Sequence, residues 1–328
     1  MAAYPMIHSE FLLRRHPENP IIKPSDFPSG ADGVRNCGQT MYGDETILLV
    51  SVDHRGDGWR GVPGRTTHVA RSRDGLRFEI DPEPFFQMPS AEDEPLYHEL
   101  DQHPIDARVT KIGDVYYICR PGGGWSAKWG CCVLLNRTTD FKSREYVGVI
   151  GLPSNRGASL FPEKINGQYA RLDRPYNPGA PSENGNLWIS YSPDLLHWGG
   201  FKPVLACGYA TWAWIKIGPT PPVKTDEGWL EIIHGVTSSC AGRRYLVGAV
   251  LLDLEDPSRA IGKTMSYLLA PLAWYEQNGR VPNVVFPCGA IPDYDEDLLR
   301  VYYGAADTSV CLATGSISEI VEACKKEL

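Results

Sequence analysis

The chain has no Cys-x-x-Cys pair and no His-x-x-His or His-Glu-x-x-His spacing, although it carries 9 cysteines and 8 histidines. Neither a zinc ribbon nor a helix-borne zinc site is suggested, and no metal is expected. The odd cysteine number, scattered from Cys37 to Cys324, argues against a disulfide framework as well. No stretch approaches 18 apolar residues, and the first residues lack a basic and an apolar signal region, so no membrane span and no secretory leader are expected. Most cysteines sit in apolar runs such as Ile118-Cys119 and Val310-Cys311-Leu312 and read as small buried hydrophobes. A reduced cytoplasm is the expected compartment. Basic excess is also missing. With 32 Lys+Arg against 40 Asp+Glu the formal net charge is −8, which argues against nucleic acid or an anionic membrane as partner.

What is present points to strands and turns. Glycine and proline number 33 and 27 of 328 residues, more than a helix bundle tolerates. Trp 9, Tyr 16 and Phe 9 make the chain aromatic-rich, as sugar-binding proteins often are. One unit recurs five times: a short run, a turn, and a second run rich in aromatic and branched residues. The copies span 36–50 (turn at Gly43-Asp44), 106–120 (Gly113-Asp114), 158–174 (Asn166-Gly167), 215–234 (224–228) and 283–307 (293–297). Asn-Gly and Gly-Asp between apolar runs are hairpin signals. A further apolar strand with a polar turn follows each hairpin, clearest in HVARSRDGLRFEI (68–80), VLLNRTTDFKSRE (133–145) and LWISYSPDLLHW (187–198). Five units of about four short strands are the arithmetic of an all-β, five-bladed β-propeller; a β-sandwich with decorated loops is the competing architecture. Pro17, Pro20, Pro24 and Pro28 mark an N-terminal arm wrapping the surface. Ser316 and Glu319, followed by Ile320, Val321 and Cys324, mark a capping box and a short C-terminal helix. No low-complexity linker divides the chain, so residues 1–328 are read as a single catalytic domain.

The start of a hairpin's first strand and the end of its second share one edge, and a propeller gathers those edges around one end of its axis. The residues there are polar. Blade one offers Asn36 with Asp53, His54 and Arg55; blade two Asp106 and Arg108 with Arg120. Blade three offers Asn155 and Arg156 with Asp173 and Arg174, blade four Lys216 with His234, and blade five Asn283 with Asp307. The signs are sorted. Arg156, Arg174 and Lys216, with His234 counted beside them, come from neighbouring blades with only Asp173 opposing, whereas Asp53, Asp106 and Asp307 come from the others. Such a cation cluster suits a compact dianion such as phosphate, and the carboxylates and amides opposite suit sugar hydroxyls.

These residues carry a resemblance. HPENPIIKPSDFP (16–28), HVARSRDGL (68–76), DARVTKIGDVYY (106–117), SLFPEKINGQYARLDRP (159–175), KIGPTPP (216–222), HGV (234–236), VPNVVFPCGA (281–290) and YYGAADT (302–308) together resemble glycoside hydrolase family 130, the family of β-mannoside phosphorylases and some β-mannosidases. The resemblance implies a five-bladed propeller and assigns Asp106 as the proton donor, with Arg108 as the arginine of the same motif. It places Arg174, Lys216 and His234 at phosphate, joined in a looser alignment by Asn155 and Arg156, and Asn36, Asp53 and Asp307 at the sugars. Two departures stand out. Ile105 and Ala107 replace the Glu and Pro usual around Asp106. Ser51 stands where some relatives carry a sugar-contacting arginine, a role for which Arg55 and Arg65 are the candidates.

The chemistry follows on its own terms. An inverting glycosidase needs an acid and a carboxylate base to activate water. Phosphate arrives already anionic and needs no base, only an acid, a cation cradle and a positioned sugar. The expected activity is therefore that of an inverting β-mannoside phosphorylase, a hexosyltransferase that uses inorganic phosphate as co-substrate, with no cofactor. A hydrolase on the same fold and a non-catalytic carbohydrate-binding propeller are the alternatives. Partners are limited to the oligosaccharide and phosphate; a homo-oligomer, with the arm as contact surface, is left open.

Overall fold

The computed structural model describes residues 11–27, 30–54, 65–92, 95–123, 128–176, 185–240 and 242–326; Arg55 lies outside them. Five antiparallel sheets follow one another along the chain. Blade one runs through Ala31–Tyr42, Glu45–His54, Arg65–Ser72 and Glu79–Ile80, and blade two through Arg108–Ile112, Val115–Gly122, Cys132–Thr138 and Glu145–Gly151. Blade three comprises Asn155–Leu160, Tyr169–Pro175, Leu187–Ser192 and Gly199–Leu205. Lys216–Gly218, Gly228–Ser239, Gly242–Leu252 and Ala260–Lys263 form blade four. Blade five contains Val285–Pro287, Leu298–Ala305 and Ser309–Ser316. This is the five-bladed propeller that the repeat implied.

The period of two along each strand explains the packing. In Glu45–His54 the side chains of Ile47 and Leu49 enter the seam with blade two, while Leu48, Val50 and Val52 enter the seam with blade five. A strand buried on both faces must read as a continuous apolar run, and this one does. Each of the five seams holds one apolar cluster. The turn after the third strand is also repeated. Asp74, Asp140 and Asp194 each accept two backbone N–H groups from the residues two and three positions on, the local bonding that favours Asp in turns.

The N-terminal arm does more than wrap the surface. Arg14–Arg15 is the outer strand of blade five, with Arg14 opposite Thr314 and Arg15 opposite Ala313. Arg15 then forks onto the buried Glu276 (2.7 and 2.8 Å), which also accepts the Tyr303 hydroxyl at 2.8 Å. One end of the chain thereby closes the ring against the other. The C-terminal helix Ile317–Lys326 packs Ile317, Ile320, Val321 and Cys324 inward, and the Glu319 N–H donates to Ser316 Oγ at 3.0 Å as a cap. None of the nine cysteines is in a disulfide and seven are buried. No helix among the described residues is long and apolar enough to cross a membrane.

Candidate active site

At one end of the axis a cavity of about 200 Å³ takes side chains from every blade. Asn36, Asp106 and Arg108 line it from blades one and two, and Arg156 and Arg174 from blade three. Lys216 and His234 come from blade four, Phe286 and Asp307 from blade five.

Asp106 stands just before the first strand of blade two with φ of 55°, and Asn36 sits at φ 42° in a bulge of the first strand of blade one. Asn and Asp tolerate the left-handed region better than other residues with side chains, and a bulge re-aims a side chain next to a site. The two are tied through Ser51. The Asp106 N–H donates to Ser51 Oγ (3.1 Å), the Ser51 hydroxyl donates to the Asn36 carbonyl (3.3 Å), and Asn36 Nδ2 donates to Asp106 Oδ1 (2.8 Å). Gly304 makes the approach possible, since a Cβ there would strike Asn36 Oδ1. Arg108 is buried and donates from Nη1 to the Asp106 carbonyl at 2.6 Å and from Nε to the Pro219 carbonyl at 3.3 Å.

Burial pushes the Asp106 carboxyl up, but the Arg156, Arg108 and Arg35 charges and the Asn36 hydrogen bond outweigh it, and the net direction is down. Arg156 Nη2 lies 3.9 Å from Asp106 Oδ2. Asp106 is thus a carboxylate among these cations.

The cation end is crowded. Burial, then Arg156 and Arg108, pushes the guanidinium of Arg174 down to about 10, and its Nε has no hydrogen-bond partner. Lys216 is buried, with Nζ 5.3 Å from the centroid of the Tyr245 ring. His234 was grouped with the cations on sequence. Burial, followed by Arg174, Arg108 and Lys216, holds its imidazole well below the usual range, so it enters the site neutral. Its ring packs on Phe286 (4.3 Å between centroids) and against Gly218, where any Cβ would overlap it. His234 Nδ1 is buried without a partner. Like charges gathered out of water, with orphaned polar atoms among them, make a receptor for an anion.

Other sequence candidates lie apart. Arg65 does not reach the cavity; its Nε is paired with Asp53. Asp53 stands behind the cavity wall, where Arg35 Nη2 also reaches it at 2.9 Å. Asn155 does not line this cavity, although its neighbour Arg156 does, and the strand is irregular between Asn155 and Gly157. It donates to Asp173 at 2.8 Å and lines a separate pocket of about 580 Å³ with Trp188 and Phe201. Asp173 and Arg171 are a buried pair at 2.9 Å. Arg120 is likewise structural, paired with Asp101 at 2.6 Å and stacked 4.0 Å over Phe86. Sequence reasoning missed Arg35, Tyr245 and Phe286. Phe286 was within reach, because Val285 is core and period two turns its neighbour to the axis; nothing local marked the other two. Among the described residues no group of three metal-ligating side chains is found.

The family model that matches residues 50–326 is described as beta-1,4-mannooligosaccharide phosphorylase. Beta-1,2-mannobiose phosphorylase of Listeria innocua is 40% identical over 265 residues, 79% of this chain and 68% of that protein. Beta-1,4-mannooligosaccharide phosphorylase of Ruminococcus albus is 33% identical over 319 residues, 96% of this chain and 91% of that protein. The solved structure of the Listeria innocua enzyme with beta-1,2-mannobiose superposes with a TM-score of 0.83 at 31% identity, covering 96% of this chain and 99% of that one.

Proposed function

The chain belongs to glycoside hydrolase family 130, and from that footing we propose that it is an inverting β-mannoside phosphorylase acting as one catalytic domain. It cleaves β-mannosyl di- or oligosaccharides with inorganic phosphate and releases α-mannose 1-phosphate and the shortened acceptor. One observation carries this reading: Arg156, Arg174 and Lys216 converge with neutral His234 on a cavity whose other side is Asp106. Water as nucleophile has no use for such a cluster. Nine cysteines without a disulfide, seven of them buried, suit a reduced cytoplasm.

In this reading phosphate sits between Arg156, Arg174 and Lys216, and a phosphate oxygen attacks the anomeric carbon from the face opposite the bridging oxygen. The bond from that carbon to the bridging oxygen breaks, and the leaving oxygen takes a proton whose source is Asp106. Phosphate prepares that proton. Its negative charge at Arg156 cancels the field that holds Asp106 ionised, so the carboxyl rises and is loaded as phosphate binds. His234, kept neutral, serves phosphate as a hydrogen-bond partner. Asn36 and Asp307 face the mannosyl hydroxyls, with Phe286 as an apolar wall.

The test is product analysis on β-1,2- and β-1,4-mannobiose, the two linkages named among the relatives, with and without phosphate. Mannose 1-phosphate formed only with phosphate is the expected result. Free mannose released at the same rate without phosphate overturns the reading.

A further inference from the structure

We propose that Arg35 is the positioning residue for the sugar end of this site, clamping Asp307 of the last blade to Asp53 of the first so that the Asp307 carboxylate faces the mannosyl ring in one orientation. This rests on the phosphorylase reading above.

The geometry is that of a fork. Arg35 Nη1 donates to Asp307 Oδ2 at 2.5 Å, and Nη2 lies 2.9 and 3.1 Å from the two oxygens of Asp53. A planar guanidinium with fixed donors can bridge two carboxylates in this way; an ammonium cannot hold both directions. Arg35 is 5% exposed, so the pairs form out of water. It is absent from the cavity wall, whereas Asp307 is on it.

The two carboxylates differ in what else holds them. Asp53 also has Arg65 as a partner and Arg280 Nε at 3.8 Å. Asp307 has Arg35 as its ion-pair partner among the described residues. The charged groups facing Asp307 are Arg35 from the first strand of blade one, Asp53 from the second, and Asp106 from blade two. Burial, then the two acids, pushes its carboxyl up against the pull of Arg35, and the net direction is up. Asp307 also sits at φ 51°, after Ala306 at 47°, so its own turn is a strained hold on the side chain.

The register places the clamp beside the acid. The Cα partner of Arg35 across the hairpin is Ser51, whose hydroxyl bridges Asn36 and Asp106. Arg65 is occupied with Asp53.

The experiment uses the full chain and compares Arg35→Met, Arg35→Lys and Arg35→Gln with wild type in mannose 1-phosphate formation, titrating mannobiose and phosphate separately from pH 5 to 8. Misplacing a reacting group's support costs on the order of 10²-fold. The expected result for Arg35→Met is a kcat/KM for mannobiose lower by about that factor, a phosphate KM within a factor of three of wild type, and an acid limb moved to higher pH because Asp307 is no longer held ionised. Arg35→Lys recovers the pH limb but little of the rate. Arg35→Gln keeps one hydrogen bond and carries the same test should Arg35→Met fail to fold. A folded Arg35→Met or Arg35→Gln protein with mannobiose kinetics within threefold of wild type, or with an unmoved pH limb, overturns the proposal. Failure of wild type to need phosphate overturns the phosphorylase reading instead.

Discussion

Replacing Arg174 with methionine should make the protein more stable in the absence of phosphate. Arg174 is 5% exposed and its guanidinium is held at about 10, well below the ordinary guanidinium range. That depression corresponds to about 3 kcal/mol against the charged form. The sign follows from proton binding. From about 10 up to the ordinary guanidinium range the unfolded chain binds the proton that the folded one gives up, so the whole cost is present at neutral pH and is relieved only as pH rises through that window. Methionine keeps an unbranched apolar stem in the same space, so a net gain of about 1–3 kcal/mol is expected in chloride buffer. Arg171→Met is the control from the same strand. Its Nε lies 2.9 Å from buried Asp173 and its Nη1 donates to the Ile150 carbonyl at 2.6 Å. Removing it strands a buried charge and should cost about 3–5 kcal/mol. Urea unfolding at pH 7 reads both. Adding phosphate at 100 times its dissociation constant should stabilise wild type by about 2.7 kcal/mol and Arg174→Met by far less. An Arg174→Met protein that is less stable than wild type without phosphate, or that gains as much from phosphate, refutes the reasoning that this charge is stored there for an anion.

Asp106→Asn keeps the Asn36 contact and removes the ionisable proton; turnover should fall roughly 10²–10⁴-fold in a protein that still melts cooperatively, and retention of half the wild-type rate would sink its assignment as acid. Lys216→Ala should raise the KM for phosphate by roughly 10–150-fold, the worth of one hydrogen bond to a charged group, while mannobiose binding stays nearly intact; steady-state titration of each substrate separates the two. Sulfate, whose charge is constant from pH 5 to 8, should bind more tightly at the acid end because it loads a proton onto Asp106, which the surrounding cations otherwise hold ionised; calorimetry should show that dependence vanish in Asp106→Asn, and its persistence would move the proton to His234. Gly218→Ala should drive a Cβ into the His234 ring and cost roughly 1–3 kcal/mol in overpacking, together with phosphate affinity; an unperturbed thermal melt would count against that packing.

The hairpin repeat was legible because its causes are local. Gly43, Gly113 and Gly167 adopt positive φ at the turns, and the runs beside them alternate between two buried seams, so turn chemistry and period identify each blade. The polar edge was legible for the same reason, since hairpin ends follow from hairpin turns. Closure of the ring was not. Arg14–Arg15 is a two-residue strand with no pattern of its own, made a strand by an edge almost 300 residues away. The partners of buried charges were hidden too. Arg174 and Arg171 are three residues apart in one strand and alike in sequence, yet one faces cations and the other a carboxylate. Asn155 and Arg156 are neighbours that face different pockets. His234 has the composition of a cation and the surroundings of a neutral ring. Arg35 meets Asp307 across 272 positions. Which residues form strands and which end they share is set by bonds and periods a few residues long. Whether a charge on that end is paired, stranded or extinguished depends on burial and on Coulomb terms over a few ångströms between distant segments, and those exist only once the ring has closed.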